Sequence, residues 1–121
     1  MRSGSQAADG EIVRAVLAGD RERYAQLVER YRDRYARYAT RMLGSVDEAE
    51  DAVQDAFVRA YDQLAQCKDP DKFVGWFFLI LRNRCFAERR RNRTSASLEA
   101  ANDVAVQQLL DQRMKLVPAH V

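Results

Sequence analysis

The chain has 121 residues, 47% of them apolar, with five Gly, two Pro and a net charge of +2. That length suits one domain with a tail, and the alternation of apolar and polar residues that marks strands is absent, so the composition points to an all-α fold. No apolar run approaches the ~20 residues that a membrane span needs. The opening MRSGSQAADG holds no apolar signal core, so a soluble, cytoplasmic protein is expected.

Met1 to Ala8 is small and polar and reads as a flexible N-terminus. Asp9 is placed to cap a short helix whose apolar face is Ile12, Val13, Val16 and Leu17. Gly19 ends it, and Asp20 is placed to cap the next. The second helix runs over 21–43, with a stripe of Tyr24, Leu27, Val28, Tyr31, Tyr35, Tyr38, Ala39 and Met42. Four tyrosines on such a stripe read first as core, each hydroxyl reaching water or a partner. The other faces carry Arg30, Arg32, Arg34, Arg37 and Arg41, and Gly44 closes the helix.

Ser45-Val46-Asp47-Glu48 fits a capping box, with Ser45 as cap. In the third helix Ala49, Ala52, Val53, Ala56, Phe57, Ala60, Tyr61 and Leu64 recur every three or four residues and form one stripe. Asp47, Glu48, Glu50, Asp51, Asp55 and Asp62 occupy the remaining face, with one Arg59. The acids of the first turn suit the positive end of the helix dipole, but Asp55 and Asp62 lie too far along for that account. Gln66 to Asp69 reads as a loop, and Asp69-Pro70 as the start of a fourth helix running to about Arg93. Its stripe is Phe73, Trp76, Phe77, Ile80 and Leu81, and Phe78 and Leu79 fall off it. A helix apolar around most of its middle is expected to sit between others. Thr94 to Ser97 reads as the start of a linker, and Val104 to Leu116 as one more short helix ended by Pro118. The chain thus divides into a flexible N-terminus (1–8), a bundle of about four helices (9–93) and a linker with a short helix (94–121).

Charge is segregated: six acids and one Arg between Asp47 and Asp62, six Arg and one Glu between Arg82 and Arg93. Opposite poles can address two partners, one basic and one anionic, although solvated helix faces are the plainer account of charge runs. Cys67 and Cys85 lack metal-ligand spacing and read as reduced, structural thiols. No metal or cofactor is called for. An enzyme is a poor fit: the one His is His120, and no nucleophile–base pair, phosphate-cradling glycine loop or HExxH pattern is present.

The run Asp47-Glu-Ala-Glu-Asp-Ala-Val-Gln54-Asp55-Ala-Phe57 resembles the D-x-A-E-D-x-x-Q-[ED]-x-F signature of bacterial sigma factors, in particular the extracytoplasmic-function group. Trp76-Phe-Phe-Leu-Ile80-Leu-Arg-Asn83 is similar to that group's W-L-x-x-I-x-x-N stretch. The resemblance covers about Asp9 to Arg93, and the two motifs in order are more specific than either alone. It implies a region-two-like helical domain that binds core RNA polymerase and recognises and helps melt the promoter −10 element. Asp47, Glu48, Asp51, Gln54 and Asp55 would then bind polymerase, at the clamp helices of its largest subunit. The loop from Gln66 to Lys72 and the start of the fourth helix, with Lys68, Asp69, Lys72, Phe73 and Trp76, would read the non-template strand. Arg82, Asn83, Arg84, Arg89, Arg90, Arg91 and Arg93 would face DNA. An anti-sigma factor is a further implied partner. Phe77 stands where the family usually has Leu, which reads as a minor packing change. The family's second, helix-turn-helix domain is matched only in its opening helix, by Val104 to Val121, so the resemblance implies a fragment of a longer protein.

The chemistry of these residues is compatible with that role. Unstacked bases bind on aromatic faces at about 1–3 kcal/mol each, and flipping a base out costs a few kcal/mol. Lys68, Asp69 and Lys72 offer donors and an acceptor beside Phe73 and Trp76, and arginines suit phosphate. Trp76 is equally well explained as core, and Asn83 as a hydrogen bond within the bundle. The alternative from another class is a helical adaptor that binds only protein, its arginines serving solubility.

Overall fold

The computed structural model describes residues 7–94. They form four α-helices, α1 (Asp9–Leu17), α2 (Tyr24–Leu43), α3 (Val46–Asp62) and α4 (73–94), with short 3₁₀ turns at Arg21–Arg23, Leu64–Gln66 and Pro70–Lys72. No strand occurs among the described residues, as the all-α reading requires. The chain parts into two compact units, Met1–Ala87 and Glu88–Val121. Within the second, residues 88–94 are helical and exposed Arg91 pairs with Glu88. Residues 1–6 of the N-terminus expected to be flexible over 1–8, and the expected linker beyond Thr94 with its final short helix, lie outside the described residues.

The helix boundaries follow local chemistry. Gly44 ends α2 in the left-handed region at φ 72°, where a side chain is strained, and its N–H bonds Thr40 O at 2.7 Å. One residue on, Ser45 Oγ accepts from Glu48 N at 3.2 Å and starts α3 as expected. The expected caps at Asp9 and Asp20 are different. Ala8 precedes α1 with no side-chain cap, and Asp9 is the first helical residue. Its carboxylate is drawn away by Arg30 Nη1 at 2.7 Å and by the Tyr31 hydroxyl, both donors on α2. Asp20 likewise makes no cap bond, and Arg21–Arg23 is a 3₁₀ turn, so α2 proper begins at Tyr24. Pro70–Lys72 is also a 3₁₀ turn, which moves the start of α4 to residue 73.

The apolar stripes meet in one core. Ala49, Ala52, Val53, Ala56, Phe57 and Ala60 of α3 are buried with Ile12, Val13 and Val16 of α1, Leu27 and Ala39 of α2, and Phe73, Phe77, Leu81 and Cys85 of α4. The alanines of α3 leave room for α2 to lie alongside it, the most extensive pairing among α1, α2 and α3. The α2 tyrosines ring this core half-buried. The Tyr24 hydroxyl donates to Phe57 O at 2.6 Å, and its ring meets Tyr61 edge-on at 5.1 Å.

Phe77 is at the centre of this packing. It stacks on Phe57 at 4.2 Å and on Phe73 at 5.9 Å, and Tyr35 meets it edge-on at 5.5 Å. Phe78, off the stripe, packs on Tyr35 and Tyr38, so α4 is covered on that flank too. Leu79 is 46% exposed. Both cysteines are buried and neither forms a disulfide, and burial raises the Cys67 thiol above its ordinary pKa, against reactivity.

Two predictions follow from the packing. Phe77→Ala should cost about 3–5 kcal/mol by cavity formation, Phe77→Leu less than about 1.5, and Leu79→Ala within about 0.5, read as urea midpoints. The second concerns alkaline pH. Burial, and then the hydrogen bond and charge of Asp9, push Tyr31 up to about 12 from 10.0. A folded pKa above the unfolded one gives stability that is whole below pH 10 and is lost as pH rises from there towards 12. Tyr31→Phe should therefore flatten the alkaline fall of the melting temperature between pH 10 and 12, the window between the ordinary and the raised pKa.

Candidate functional site

The acidic helix is the first element. Asp47, Asp51, Gln54, Asp55 and Val58 share one flank of α3 through spacings of three and four residues. Asp47, Asp51 and Gln54 are exposed, Glu48 half-buried beside the cap. Asp55 is placed differently: Oδ2 accepts from Arg59 Nε at 2.9 Å and from Arg84 Nε at 3.0 Å. A residue expected to face polymerase and one expected to face DNA are therefore paired with each other, α3 to α4. The Arg84 side chain is only 17% exposed, so its charge is largely spent inside the bundle.

Beside this flank lies a half-open groove of about 820 Å³ between α2 and α3. Tyr24, Val28, Val53, Phe57 and Tyr61 are among its lining, with Arg32, Asp33, Glu50, Gln54 and Val58. Val58 is 54% exposed. The groove was not foreseen from the sequence. The signal was there in Val58, an apolar residue on the otherwise polar side of α3.

The loop before α4 is the second element. Two buried residues, Cys67 and Phe73, hold its ends, and Lys68, Asp69 and Lys72 are exposed between them. Local hydrogen bonds shape it: Cys67 N to Leu64 O at 3.0 Å, Lys72 N to Asp69 O at 2.8 Å, and Asp71 N to Asp69 Oδ1 at 3.2 Å. The Cys67 thiol donates to Asp69 O at 3.5 Å. Phe73, expected to offer its ring beside the loop, is fully buried against Phe77, so it anchors the loop and presents no surface. Trp76 is half-buried, packed on the core with its ring 6.1 Å from Phe73.

A contact from α1 was also missed. Arg14 Nη1 and Nη2 each lie 3.3 Å from a carboxylate oxygen of Asp71. Gly10 is buried against that same carboxylate, and a Cβ there would fall 1.9 Å from Asp71 Oδ1. A side chain there would push the Asp71 carboxylate aside, so glycine lets α1 approach the turn with the Arg14–Asp71 contact in place. Sequence spacing could not reveal a pair 57 positions apart.

On α4, Asn83 is exposed and Arg82 half-buried, its guanidinium 5.7 Å from the centre of the Phe86 ring. Arg89, Arg90, Arg91 and Arg93 belong to the second unit and are exposed.

This is a helical binding domain that carries an acidic helix flank beside a groove, and a polar loop clamped by buried anchors. The chain belongs to the Sigma-70 region 2 family, whose sequence model matches residues 27–95. It is 34% identical over 88 residues to the ECF RNA polymerase sigma factor SigW of Bacillus subtilis, covering 73% of this chain and 47% of that protein. To the ECF RNA polymerase sigma-E factor of Escherichia coli K12 it is 32% identical over 103 residues, 80% of this chain and 53% of the relative. The SigM factor of Mycobacterium tuberculosis is 30% identical over 99 residues, with 80% and 50% covered. The chain thus spans about half the length of the curated relatives it matches. No described helix is long and apolar enough to cross a membrane.

The Asp55 bridge has a measurable consequence. Asp55→Ala leaves the half-buried Arg84 without this acceptor and should cost about 1 kcal/mol or more, whereas Arg59→Ala, which removes an exposed pair, should cost less than about 0.5. Urea unfolding of the two variants checks the order.

Proposed function

We propose that this chain is the −10-recognising, polymerase-binding domain of an extracytoplasmic-function sigma factor, a non-catalytic subunit that works in the cytoplasm at transcription initiation. The exposed α3 flank, with Asp47, Asp51 and Gln54 beside the α2–α3 groove, docks on core RNA polymerase. Glu48 and Asp55 support that flank, Asp55 through its arginine pairs. Lys68, Asp69 and Lys72 read bases of the non-template strand, with Trp76 near the start of α4 and Asn83 at its middle. Arg82, Arg89, Arg90, Arg91 and Arg93 serve phosphate, and an anti-sigma factor is a natural competitor for these surfaces.

The observation that supports this reading best is the loop. Four polar side chains, Lys68, Asp69, Asp71 and Lys72, stand exposed between two buried anchors, within the stretch matched by the family. Rigid ends and free tips are what direct readout of an unstacked base needs, because side chains already positioned lose less entropy on binding. A protein-only adaptor has no use for such a loop, and it predicts no preference among oligonucleotides.

The test uses the 121-residue chain with labelled single strands, one −10-like and one scrambled, and a core-polymerase retention assay. Lys72→Ala should narrow the preference for the matched strand by about 1–3 kcal/mol. Arg89→Ala and Arg90→Ala should each weaken both strands alike and flatten the salt slope by about 0.7. Asp51→Arg should lower retention on core polymerase. A wild-type chain that binds neither strand would favour the adaptor.

A further inference from the structure

The arginines of α2 are unevenly placed. Arg30, Arg34, Arg37 and Arg41 follow at intervals of four, three and four residues, which puts them along one flank of the helix. Arg30 is engaged by Asp9 at 2.7 Å, and Asp33 lies against Arg32 at 3.9 Å. From Arg34 to Leu43 the helix has no acid at all: Arg34, Arg37 and Arg41 are its only charged residues there, and all three are exposed. None of them has an acidic partner among the described residues. Arg34 lies over the rings of Tyr31 and Tyr35, 5.6 and 5.7 Å from their centres, which steadies its guanidinium without neutralising it.

The adjoining flank of α4 has the same character. Tyr35 and Tyr38 pack on Phe78, with ring centres 5.9 and 5.0 Å apart, so the two helices meet there. Phe78, Arg82 and Phe86 follow at four-residue intervals, and α4 has no acid between Phe77 and Ala87. Arg82 stacks over Phe86, which is 42% exposed, and the Arg82 Nε is shielded from solvent with no acceptor.

We propose that Arg34, Arg37 and Arg41 of α2, reaching across to the phosphate-serving Arg82 and to Phe86, form a second nucleic-acid contact that holds the phosphates of a single strand without reading its bases. The inference rests on the nucleic-acid reading proposed above and adds a face to it: no residue of α2 carried the resemblance that suggested DNA contacts. Guanidinium forks match phosphate oxygens, and an exposed ring beside them offers any base a stacking face. Phosphate carries no sequence information, so this face contributes affinity and salt dependence while the Lys68–Lys72 loop contributes preference.

The experiment compares the wild-type 121-residue chain with the triple variant Arg34→Ala/Arg37→Ala/Arg41→Ala, binding −10-like and scrambled single strands across a salt series. Circular dichroism verifies the fold. The triple variant should bind both strands more weakly by the same factor. The slope of log affinity against log salt should flatten by about 2, three contacts at ~0.7 each. The ratio of matched to scrambled affinity should not change. The corresponding triple lysine variant should keep most of the slope, and Arg21→Ala/Arg32→Ala should leave it unaltered. If the wild type shows −10 preference and the triple variant keeps its slope, the second contact is wrong while the proposed function stands. A changed ratio at constant slope overturns it as well, since the face would then be reading bases. Loss of core-polymerase retention alone would make the face a docking site for an acidic protein segment and overturn it too. A wild-type chain that binds neither strand removes both readings together.

Discussion

The stack of Phe57, Phe77 and Phe73 is the contact on which the rest of the bundle depends. Its rings lie nearly parallel, 22° and 19° apart, and come from α3 and α4. Tyr35 of α2 closes the stack edge-on. Three helices are therefore registered by one column of aromatic rings. Phe73 follows directly on the Pro70–Lys72 turn, so the position of that ring also decides where the polar loop stands. Aromatic burial is large per residue and geometrically selective. The same column that stabilises the bundle thus places Lys68, Asp69 and Lys72.

The charges are organised in two tiers. One tier is consumed inside the fold: Asp9 holds Arg30 and Tyr31, Asp55 holds Arg59 and Arg84, and Asp71 faces Arg14. These pairs join elements far apart in sequence and are partly shielded, apart from the exposed Arg14–Asp71 pair and Arg59. The other tier stays in solvent and is segregated by sign, with acids on the outer flank of α3 and arginines on the later half of α2 and on α4. A chain with a net charge of only +2 can thus present strong local fields of opposite sign, which steer different partners to different faces.

α1 works as a clasp. It lies outside the stretch matched by the family, yet it reaches α2 through Asp9 and the Pro70–Lys72 turn through Gly10 and Arg14. The buried Ile12, Val13 and Val16 supply the adhesion, and the polar contacts set the register. A turn supported from behind in this way loses less freedom when it binds.

Much of the architecture was legible in the linear pattern. The stripes of α2, α3 and α4, the Gly44 stop, the Ser45 cap and the all-α class depend on residues three or four positions apart, and helical periodicity is a local property. The acidic flank and the polar loop could be named for the same reason. What the chain alone did not determine was which of those polar groups remain available. Asp9 looked like a cap and is a cross-helix acceptor; Phe73 looked like a surface ring and is an anchor; Asp55 and Arg84 looked like members of two interfaces and hold each other at 3.0 Å. The Asp9 and Asp55 outcomes depend on partners 21 and 29 residues away, and that of Phe73 on its ring stacking under Phe77 inside the core. Whether a charge is spent or free follows from which helices pack together, and that is decided by the aromatic column in the core, a matter of three-dimensional fit that sequence spacing does not encode.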